Sequence, residues 1–442
     1  MQEISKKITG ETEITKDIFS EIKKEVKNIS DFKKKIEDSF EGRLTEILEI
    51  ILGGAIHLKA SDIHFEPKEE STNLRIRVDG LLQNILSLDK KIYQSITSRI
   101  KLLSKLQLNI TDRPQDGRFS ILTPPDEEEE KPLLVEVRTS ILPSEYGETI
   151  VLRILNPKSL IDLEVLGLRK DLFDLFQKEI KKPNGMIIIT GPTGSGKTTT
   201  LYAFLKKIQS PEIKIITIED PIEYHLSGIS QTQVNPKKGY DFANGLRSIM
   251  RQDPDVVLVG EVRDLETASI ALQAALTGHL VFTTLHTNDA AGTVTRMQAL
   301  GEKAINIAPA INMAVAQRLI RRVCKKCTKT KKASSQELEK FRQEFKKLPK
   351  NVKVDEISKD LEIPTTVGCK DCNNTGYKGR TGIYEAFLID DEIEKFILTS
   401  PSIAALREKA IKKGMTTMYQ DGLIKILEGI TTIEEVKKAT GQ

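Results

Sequence analysis

The chain has 442 residues, 39% of them hydrophobic and 29% charged, and 67 basic against 63 acidic side chains give a formal net charge of +4. This length predicts two or three domains, and the near balance of charge argues against a protein that wraps nucleic acid. The first residues lack the apolar segment of a secretory signal, and no run of about 18 apolar residues is available to span a bilayer. We therefore expect a cytoplasmic protein whose contact with a membrane is peripheral.

Apolar residues recur every three or four positions near the start of the chain. This spacing is typical of an amphipathic helix and predicts a helical arm over residues 1–43. The apolar stripe needs a partner, which is either the chain's own domain or the surface of another protein. The stripe consists of Ile14, Ile18, Ile22, Val26, Ile29, Phe32, Ile36 and Phe40.

Residues 44–157 show the shorter pattern of β-strands. They predict a small α+β domain with a mostly antiparallel sheet. The acidic insertion at 124–130 indicates a solvated loop. Asn156 marks a linker, because a residue that precedes proline is disfavoured in a helix. The predicted elements are strands at 73–80, 133–138 and 149–154 and a helix at 91–106.

Beyond residue 158 the chain alternates short apolar strands with helices. Continuous apolar strands of this kind predict an α/β domain whose parallel sheet is buried on both faces. Ligands of such sheets bind beyond the carboxyl ends of the strands. The predicted strands are 186–190, 213–218, 256–259 and 280–285, and the helices include 265–276.

A glycine-rich turn follows the first of these strands and leads into a helix. Its GxxxxGK[ST] pattern points backbone N–H groups and a helix N-terminus at one spot, which suits a polyphosphate. Lys197 is expected to reach the β- and γ-phosphates, and the Thr198 hydroxyl is expected to bind Mg²⁺. The predicted nucleotide-binding residues are Gly191, Pro192, Thr193, Gly194, Ser195, Gly196, Lys197, Thr198 and Thr199.

Polar residues follow three of the predicted strands, at the edge where the phosphate loop lies. Hydrolysis of a phosphoanhydride needs a group that positions water, metal coordination and positive charge on the transferred phosphoryl group. Glu219 and Glu261 are candidates for the first two duties, and His286 is a candidate for sensing the γ-phosphate. A single carboxylate at a strand end would more often be a helix cap or an ion-pair partner. His279 is better explained as a residue of the turn before its strand.

The four cysteines form two CxxC pairs separated by 41 residues, since 369 − 327 − 1 = 41. Two such pairs fit a tetrahedral thiolate site for structural Zn²⁺, with no position left for water. The predicted ligands are Cys324, Cys327, Cys369 and Cys372. The basic residues around the first pair form either a solvated face or a contact with anionic phospholipid. They are Arg318, Arg321, Arg322, Lys325, Lys326, Lys329, Lys331 and Lys332.

Five ordered motifs resemble those of the secretion ATPases, the assembly motors of type II secretion and of type IV pili. They look like the family's nucleotide loop, aspartate box, arginine segment, Walker B box and histidine box, at 191–198, 216–224, 246–255, 259–264 and 277–289. Residues 60–67 and 114–118 are similar to the family's second N-terminal domain. The amino acids at 231–235 and 273–279 resemble the type II secretion motor more than the pilus extension motor, which is the alternative.

The resemblance implies a RecA-like, Mg²⁺-dependent ATPase that works as a homohexamer. It implies an ATPase domain over 158–442, with a zinc module at about 320–385 and C-terminal helices at 390–442, after the arm and an N-terminal domain at 44–157. The assembly motors carry a similar four-cysteine module. The arm is shorter than the additional N-terminal domain usual in the family.

The resemblance also implies charged side chains and partners that spacing alone does not indicate. In the family, arginines corresponding to Arg118 and Arg138 in the N-terminal domain, and to Arg247 and Arg251 in the ATPase domain, lie near the nucleotide. Ordinary surface pairing is the alternative for each arginine taken alone. The implied partners are an inner-membrane platform protein and the cytoplasmic domain of a membrane receptor.

Two functions from other classes compete with the motor. A nucleic-acid translocase with a similar core would be stimulated by DNA or RNA, but no aromatic residues interleave the basic run. A scaffold that uses ATP only to assemble would not need Glu219, Glu261 and Arg251.

Overall fold

A computed structural model describes residues 10–125 and 131–442. The chain divides into two compact units, Met1–Ser159 with Val367–Gly376, and Leu160–Thr366 with Tyr377–Gln442. No helix in the described ranges is both long enough and apolar enough to cross a bilayer. The predicted acidic loop falls partly on residues 126–130, which lie outside the described residues.

In the residues that the structure describes, the first unit combines seven strands with four α-helices. The sheet order is β1-β5-β6-β7-β2-β3-β4, and every neighbouring pair is antiparallel except β1 with β5. The predicted α+β domain with a mostly antiparallel sheet is therefore present. The elements are β1 Glu11–Glu13, α1 Lys16–Glu25, α2 Ile29–Glu37, α3 Leu44–His57, β2 Asp62–Pro67, β3 Ser71–Val78, β4 Leu81–Asp89, α4 Lys90–Leu103, β5 Gln115–Thr123, β6 Leu133–Ser144 and β7 Gly147–Leu155.

The arm at the start of the chain is two helices rather than one. The helix α1 ends before Val26, and the Asn28 side chain accepts a hydrogen bond from the Asp31 N–H at 3.0 Å, which caps the start of α2. The apolar stripe joins the unit's own core. Phe32 packs on Gly54 of α3 so closely that a Cβ at Gly54 would lie 2.1 Å from its ring. Of the two alternatives, the structure supports packing on the chain's own domain.

The second unit is built on a seven-stranded sheet with the order β10-β9-β11-β12-β8-β13-β16. Its elements are α5 Lys170–Glu179, β8 Gly185–Thr190, α6 Lys197–Ile208, β9 Ile215–Glu219, β10 Ser230–Gln233, α7 Phe242–Met250, β11 Val256–Val259, α8 Leu265–Leu276, β12 Leu280–Leu285, α9 Gly292–Ala299, α10 Ala304–Ala310, β13 Ile311–Val323, β14 Thr328–Lys332, α11 Ser335–Phe345, β15 Glu362–Thr366, β16 Tyr377–Leu388, α12 Asp391–Ile397, α13 Ile403–Lys412, α14 Met418–Leu427 and α15 Ile433–Thr440.

The central strands of this sheet are parallel, and only β16 runs antiparallel, against β13. All residues of β8, β9, β11 and β12 are buried, which requires cover on both faces. The predicted parallel α/β core is therefore confirmed. Because the strands are parallel, their carboxyl ends share one edge, where loops that bear polar residues converge.

Candidate nucleotide site and cysteine cluster

The phosphate loop joins β8 to α6 in a conformation that only glycine adopts readily. Gly191, Gly194 and Gly196 have φ values of 151°, 78° and 90°. A Cβ on Gly191 would lie 2.5 Å from the Gln317 carbonyl oxygen, so a larger residue would also clash. Within the described part of the chain, no side chain caps the start of α6. Its first N–H groups can therefore bind an anion.

Two buried side chains of the loop fit a polyphosphate. The Lys197 ammonium donates to the carbonyls of Gly191 at 2.8 Å and Pro192 at 3.2 Å. Burial lowers the pKa of Lys197, and the charge of Glu261 opposes that shift. The Ser195 hydroxyl is buried and has no hydrogen-bond partner among the described residues. A phosphate oxygen would satisfy this hydroxyl, which is costly to leave unbonded.

Glu219 ends β9 and is held by three neutral donors. Its carboxylate accepts hydrogen bonds from Thr217 at 2.6 Å, from the Tyr202 hydroxyl and from the Gln231 amide at 3.3 Å. The residue is only 3% exposed, and burial raises its pKa. Neither Tyr202 nor Gln231 was predicted as a site residue. The sequence offers little signal for them, because their contacts arise from the packing of α6 and β10 beside β9.

Glu261 follows β11 and lies within reach of two cationic or titratable groups. Its carboxylate forms an ion pair with Arg263, and its other oxygen lies 3.5 Å from His286 Nε2. Burial lowers the pKa of His286, and so does the charge of Lys197, while Glu261 opposes both. The structure thus brings Lys197, Glu261 and His286 together. His279 lies apart in its turn and bonds to the Ala274 carbonyl at 3.0 Å.

The two arginines predicted in the ATPase domain lie at the end of α7. Arg247 forms an ion pair with Glu266, and both side chains are exposed. Arg251 follows the last residue of the helix and donates to the Arg247 carbonyl at 3.1 Å. Arg251 is therefore the C-terminal cap of α7, with its side chain folded back on the last turn of the helix.

The two arginines predicted in the N-terminal domain belong to a row on the sheet of the first unit. Arg118 lies opposite Arg138, Arg138 lies opposite Arg153, and Arg153 lies opposite Asp62. Directly opposite residues project from the same face of a sheet. Arg118 is 74% exposed at its side chain, and Arg153 donates to Asp62 at 3.1 Å. Arg153 was missed because only the strand register reveals it as a neighbour of Arg138.

The four cysteines cluster as the sequence predicts. Their sulphur atoms all lie within 4.8 Å of one another. The Cys372 sulphur accepts hydrogen bonds from the backbone N–H groups of Cys369 and Gly376, both at 3.2 Å. Four thiolates at this spacing fit a tetrahedral Zn²⁺ ion, and N–H donors to sulphur are a typical outer shell of such sites.

The basic run beside the first cysteine pair does not form one face. Arg321 forms an ion pair with Glu435 and lies over the Tyr377 ring at 4.1 Å. Arg318 is partly buried and donates to the Asn288 carbonyl at 3.0 Å. The exposed basic residues of the run are Arg322, Lys325, Lys326, Lys329, Lys331 and Lys332. A lipid contact would therefore fall to these six rather than to Arg318 and Arg321.

The chain matches a family model described as "Type II/IV secretion system protein" over residues 37–438. It is 42% identical to "Type II secretion system ATPase E" of Vibrio cholerae, over 92% of this chain and 77% of that protein. It is 39% identical to "Type IV pilus assembly ATPase PilB" of Myxococcus xanthus, over 94% of this chain and 70% of that protein.

Solved structures show the same fold. A crystal structure of the pilus retraction motor PilT with bound ADP aligns with a TM-score of 0.57 and 26% identity, over 89% of this chain and 96% of that one. The Legionella pneumophila ATPase DotB aligns with a TM-score of 0.62 at 22% identity, over 88% of this chain and 94% of that one. The latter likeness concerns the fold alone.

Proposed function

Because the chain belongs to the Type II/IV secretion system protein family, we propose that it is a Mg²⁺-dependent ATPase that drives a secretion or pilus machine. One observation supports the proposal above all. The phosphate loop, Lys197, Glu261 and His286 converge at the carboxyl edge of a buried parallel sheet. The ADP bound to the similar motor PilT adds support for a nucleotide.

The loop residues would bind the nucleotide, and each has a defined duty. Lys197 would exchange its two carbonyl partners for phosphate oxygens, and the first turn of α6 would donate N–H groups. The Thr198 hydroxyl would hold Mg²⁺, which neutralises charge on the β- and γ-phosphates. Thr193 and Thr199 belong to the same loop and helix start, and we keep them as nucleotide-binding residues.

Glu261 is the residue that we propose to polarise the attacking water. It follows the carboxyl end of β11, and its partners Arg263 and His286 hold its carboxylate in place. Glu219 is enclosed by hydroxyl and amide donors. We therefore assign it the secondary duty of supporting Glu261 and the metal. His286 would sense the γ-phosphate from its position beside Glu261.

Arginine side chains would supply positive charge to the transferred phosphoryl group. A guanidinium at that position stabilises charge in the transition state. We propose Arg118 and Arg138 of the first unit for this role, and we add Arg153 because it continues their row. Arg247 and Arg251 stay proposed contributors, although Arg247 would have to leave Glu266.

The proposed motor is a homohexamer in the cytoplasm, peripherally associated with the inner membrane. Hydrolysis would change the angle between an N-terminal and an ATPase domain, and a platform protein would convert that motion into pseudopilus assembly and protein export. A membrane receptor and anionic phospholipid are further proposed partners. Type IV pilus extension is the second candidate, since relatives called pilus assembly ATPases match at 39–41% identity.

Replacement of Glu261 tests the proposal. Glu261→Gln keeps the shape of the side chain and removes its charge, so we expect ATP turnover to fall at least a hundredfold while nucleotide binding persists. Turnover is measured as phosphate release and binding with a fluorescent nucleotide. Wild-type protein that leaves ATP uncleaved would contradict the proposed activity, and a fully active variant would contradict the role of Glu261.

The same assay separates the competing functions. Stimulation by DNA or RNA, with a steep dependence on salt, would indicate a translocase. Stimulation by vesicles with anionic phospholipid, but not by neutral vesicles, would favour a motor at the membrane. Binding without any hydrolysis would indicate a scaffold.

A further inference from the structure

The strand β13 places a cationic side chain against the phosphate loop, and none of the roles proposed above uses it. The Arg318 guanidinium donates to the Gln317 carbonyl at 3.2 Å and to the Asn288 carbonyl at 3.0 Å. A Cβ on Gly191 would lie 3.2 Å from one of its nitrogens. Arg318 therefore touches the first residue of the phosphate loop and also the segment that follows His286.

That segment, Thr287–Ala290, is fixed at three points. Its first N–H, on Thr287, donates to the Thr190 hydroxyl at 2.7 Å, and Thr190 directly precedes the phosphate loop. Arg318 binds the Asn288 carbonyl in the middle. The Ala290 N–H donates to the buried Glu385 carboxylate at 2.9 Å. His286 lies between the end of β12 and this segment, so both border the side chain that faces Glu261.

The residue before Arg318 fixes β13 to the phosphate loop. Gln317 is buried, and its side-chain oxygen accepts a hydrogen bond from Thr200 of α6 at 2.8 Å. Its amide nitrogen would lie 2.8 Å from a Cβ on Gly196, so the two groups are in close contact. Gln317 thus sets the distance between β13 and the loop, and the guanidinium of Arg318 extends from that fixed point.

The charges around Arg318 are of both signs, with two carboxylates and the ammonium group of Lys197 acting on it. Burial lowers the pKa of Arg318, whereas the charges of Glu385 and Asp289 oppose the shift. Arg318 in turn contributes to the lowered pKa of Lys197, whose main cause is burial. Two cations that share a half-buried region repel one another, and a polyphosphate would relieve that repulsion.

We propose that Arg318 is a positioning residue for the reaction: its guanidinium holds Thr287–Ala290, and with it His286, against the phosphate loop. The inference rests on the proposed ATPase function. A residue that only stabilised the fold would change the melting temperature. A residue that positions His286 changes kcat, because a small misplacement of a group that acts in the transition state slows the reaction strongly.

The test compares Arg318→Gln and Arg318→Lys with Arg321→Gln in the full chain. Arg321 lies on the same strand and its guanidinium pairs with Glu435, so its variant controls for the loss of a paired arginine side chain from β13. Steady-state ATP hydrolysis gives kcat and KM, and thermal unfolding gives the melting temperature. Amide hydrogen exchange over residues 287–292 measures how well the backbone N–H groups of the segment are protected, and it does not depend on ATPase activity.

We expect Arg318→Gln to lower kcat ten- to a hundredfold, with KM for MgATP within about threefold of the wild-type value. Arg318→Lys should recover part of the rate, because an ammonium group can donate to one of the two carbonyls. Exchange over residues 287–292 should become faster in Arg318→Gln. Arg321→Gln should lower the melting temperature and leave kcat within about twofold.

Three results would overturn the inference. The first is unchanged kcat in Arg318→Gln together with an active wild-type chain, which leaves the proposed function intact. The second is a loss of rate that Arg321→Gln reproduces, which indicates general destabilisation. The third is unchanged hydrogen exchange over residues 287–292 in Arg318→Gln. A wild-type chain without ATPase activity would instead contradict the proposed function, and hydrogen exchange would still decide whether Arg318 holds the segment.

Discussion

The role of each residue in the candidate site depends on the few atoms that surround it. Gly191 and Gly196 of the phosphate loop are needed because a Cβ would lie 2.5 Å from the Gln317 carbonyl oxygen or 2.8 Å from its amide nitrogen, whereas Gly194 is needed for its φ of 78°. Glu219 and Glu261 lie at the ends of neighbouring strands, but their carboxylates have different bonding partners. One is enclosed by neutral donors, and the other is paired with Arg263 and close to His286. A sequence motif names both residues but does not separate their environments.

The buried Glu385 should make the stability of the fold depend on pH. Burial raises its pKa above the ordinary value of 4.5, although the N–H groups of Ala290 and Met418 oppose the shift. The folded state therefore binds a proton more readily than the unfolded chain. The stability that this group contributes is present below its unfolded pKa and is lost as pH rises through the higher folded pKa.

Glu385→Gln cannot ionise and so should not show this loss. We expect the melting temperature of the variant, minus that of the wild type, to increase as pH rises from about 4.5 toward neutrality. Thermal unfolding at several pH values without nucleotide measures the difference. A difference that stays constant, or that decreases with rising pH, would show that the folded pKa of Glu385 is not raised.

Helices and strands followed the sequence pattern well where their environment was uniform. The predicted strands 256–259 and 280–285 and the helix 265–276 have the bounds that the structure gives to β11, β12 and α8. The arm was less predictable, because its apolar stripe continues through the break at Val26–Asn28. A stripe of constant spacing does not reveal that Asn28 caps a second helix.

The elements of the second unit are also joined by buried charges. Arg169, at the start of α5, donates to Asp421 of α14 at 2.7 Å, and Lys425 donates to the same carboxylate at 3.0 Å. Asp421 is fully buried and also accepts the Tyr384 N–H of β16 at 2.8 Å. Its two cationic partners hold its pKa below the usual range despite burial.

Removal of this carboxylate charge should be costly. Asp421→Asn removes the counter-charge of the buried Lys425 and leaves Arg169 paired with Asp171 alone, so we expect a loss of about 3–5 kcal/mol in the free energy of unfolding. The control is Glu164→Gln, which breaks the exposed ion pair with Lys207 and should change the free energy of unfolding much less, because solvent screens that pair. Urea-induced unfolding measures both. Equal losses in the two variants would show that the buried network is not essential.

At the scale of the whole molecule, the site depends on parallel strands that end at one edge. Segments far apart in the chain, from residue 191 to residue 318, meet there because β8, β9, β11, β12 and β13 lie side by side. The two cysteine pairs are also distant in the sequence, yet the sulphur atoms of Cys324 and Cys372 lie within 4.8 Å of one another. The family match over residues 37–438 covers both features.

A metal measurement tests the cysteine cluster in the whole protein. We expect about one Zn²⁺ per chain by elemental analysis, because four thiolates complete one tetrahedral site. Cys369→Ser should release the metal and lower the melting temperature, since binding a metal to the folded state stabilises it. Purified wild-type protein that contains no zinc, and takes up none when it is supplied, would contradict the prediction.

The sequence by itself determined the features that depend on local pattern. These include the phosphate loop, the buried parallel strands, the CxxC pairs and the carboxylates at strand ends, because each follows from the spacing and type of neighbouring residues. Only the tertiary structure decided which residues meet across the sheet. The register places Arg153 beside Arg138, packing encloses Glu219 with Tyr202, and β13 brings Arg318 to Gly191. Such contacts depend on strand order and side-chain packing, which local spacing does not specify.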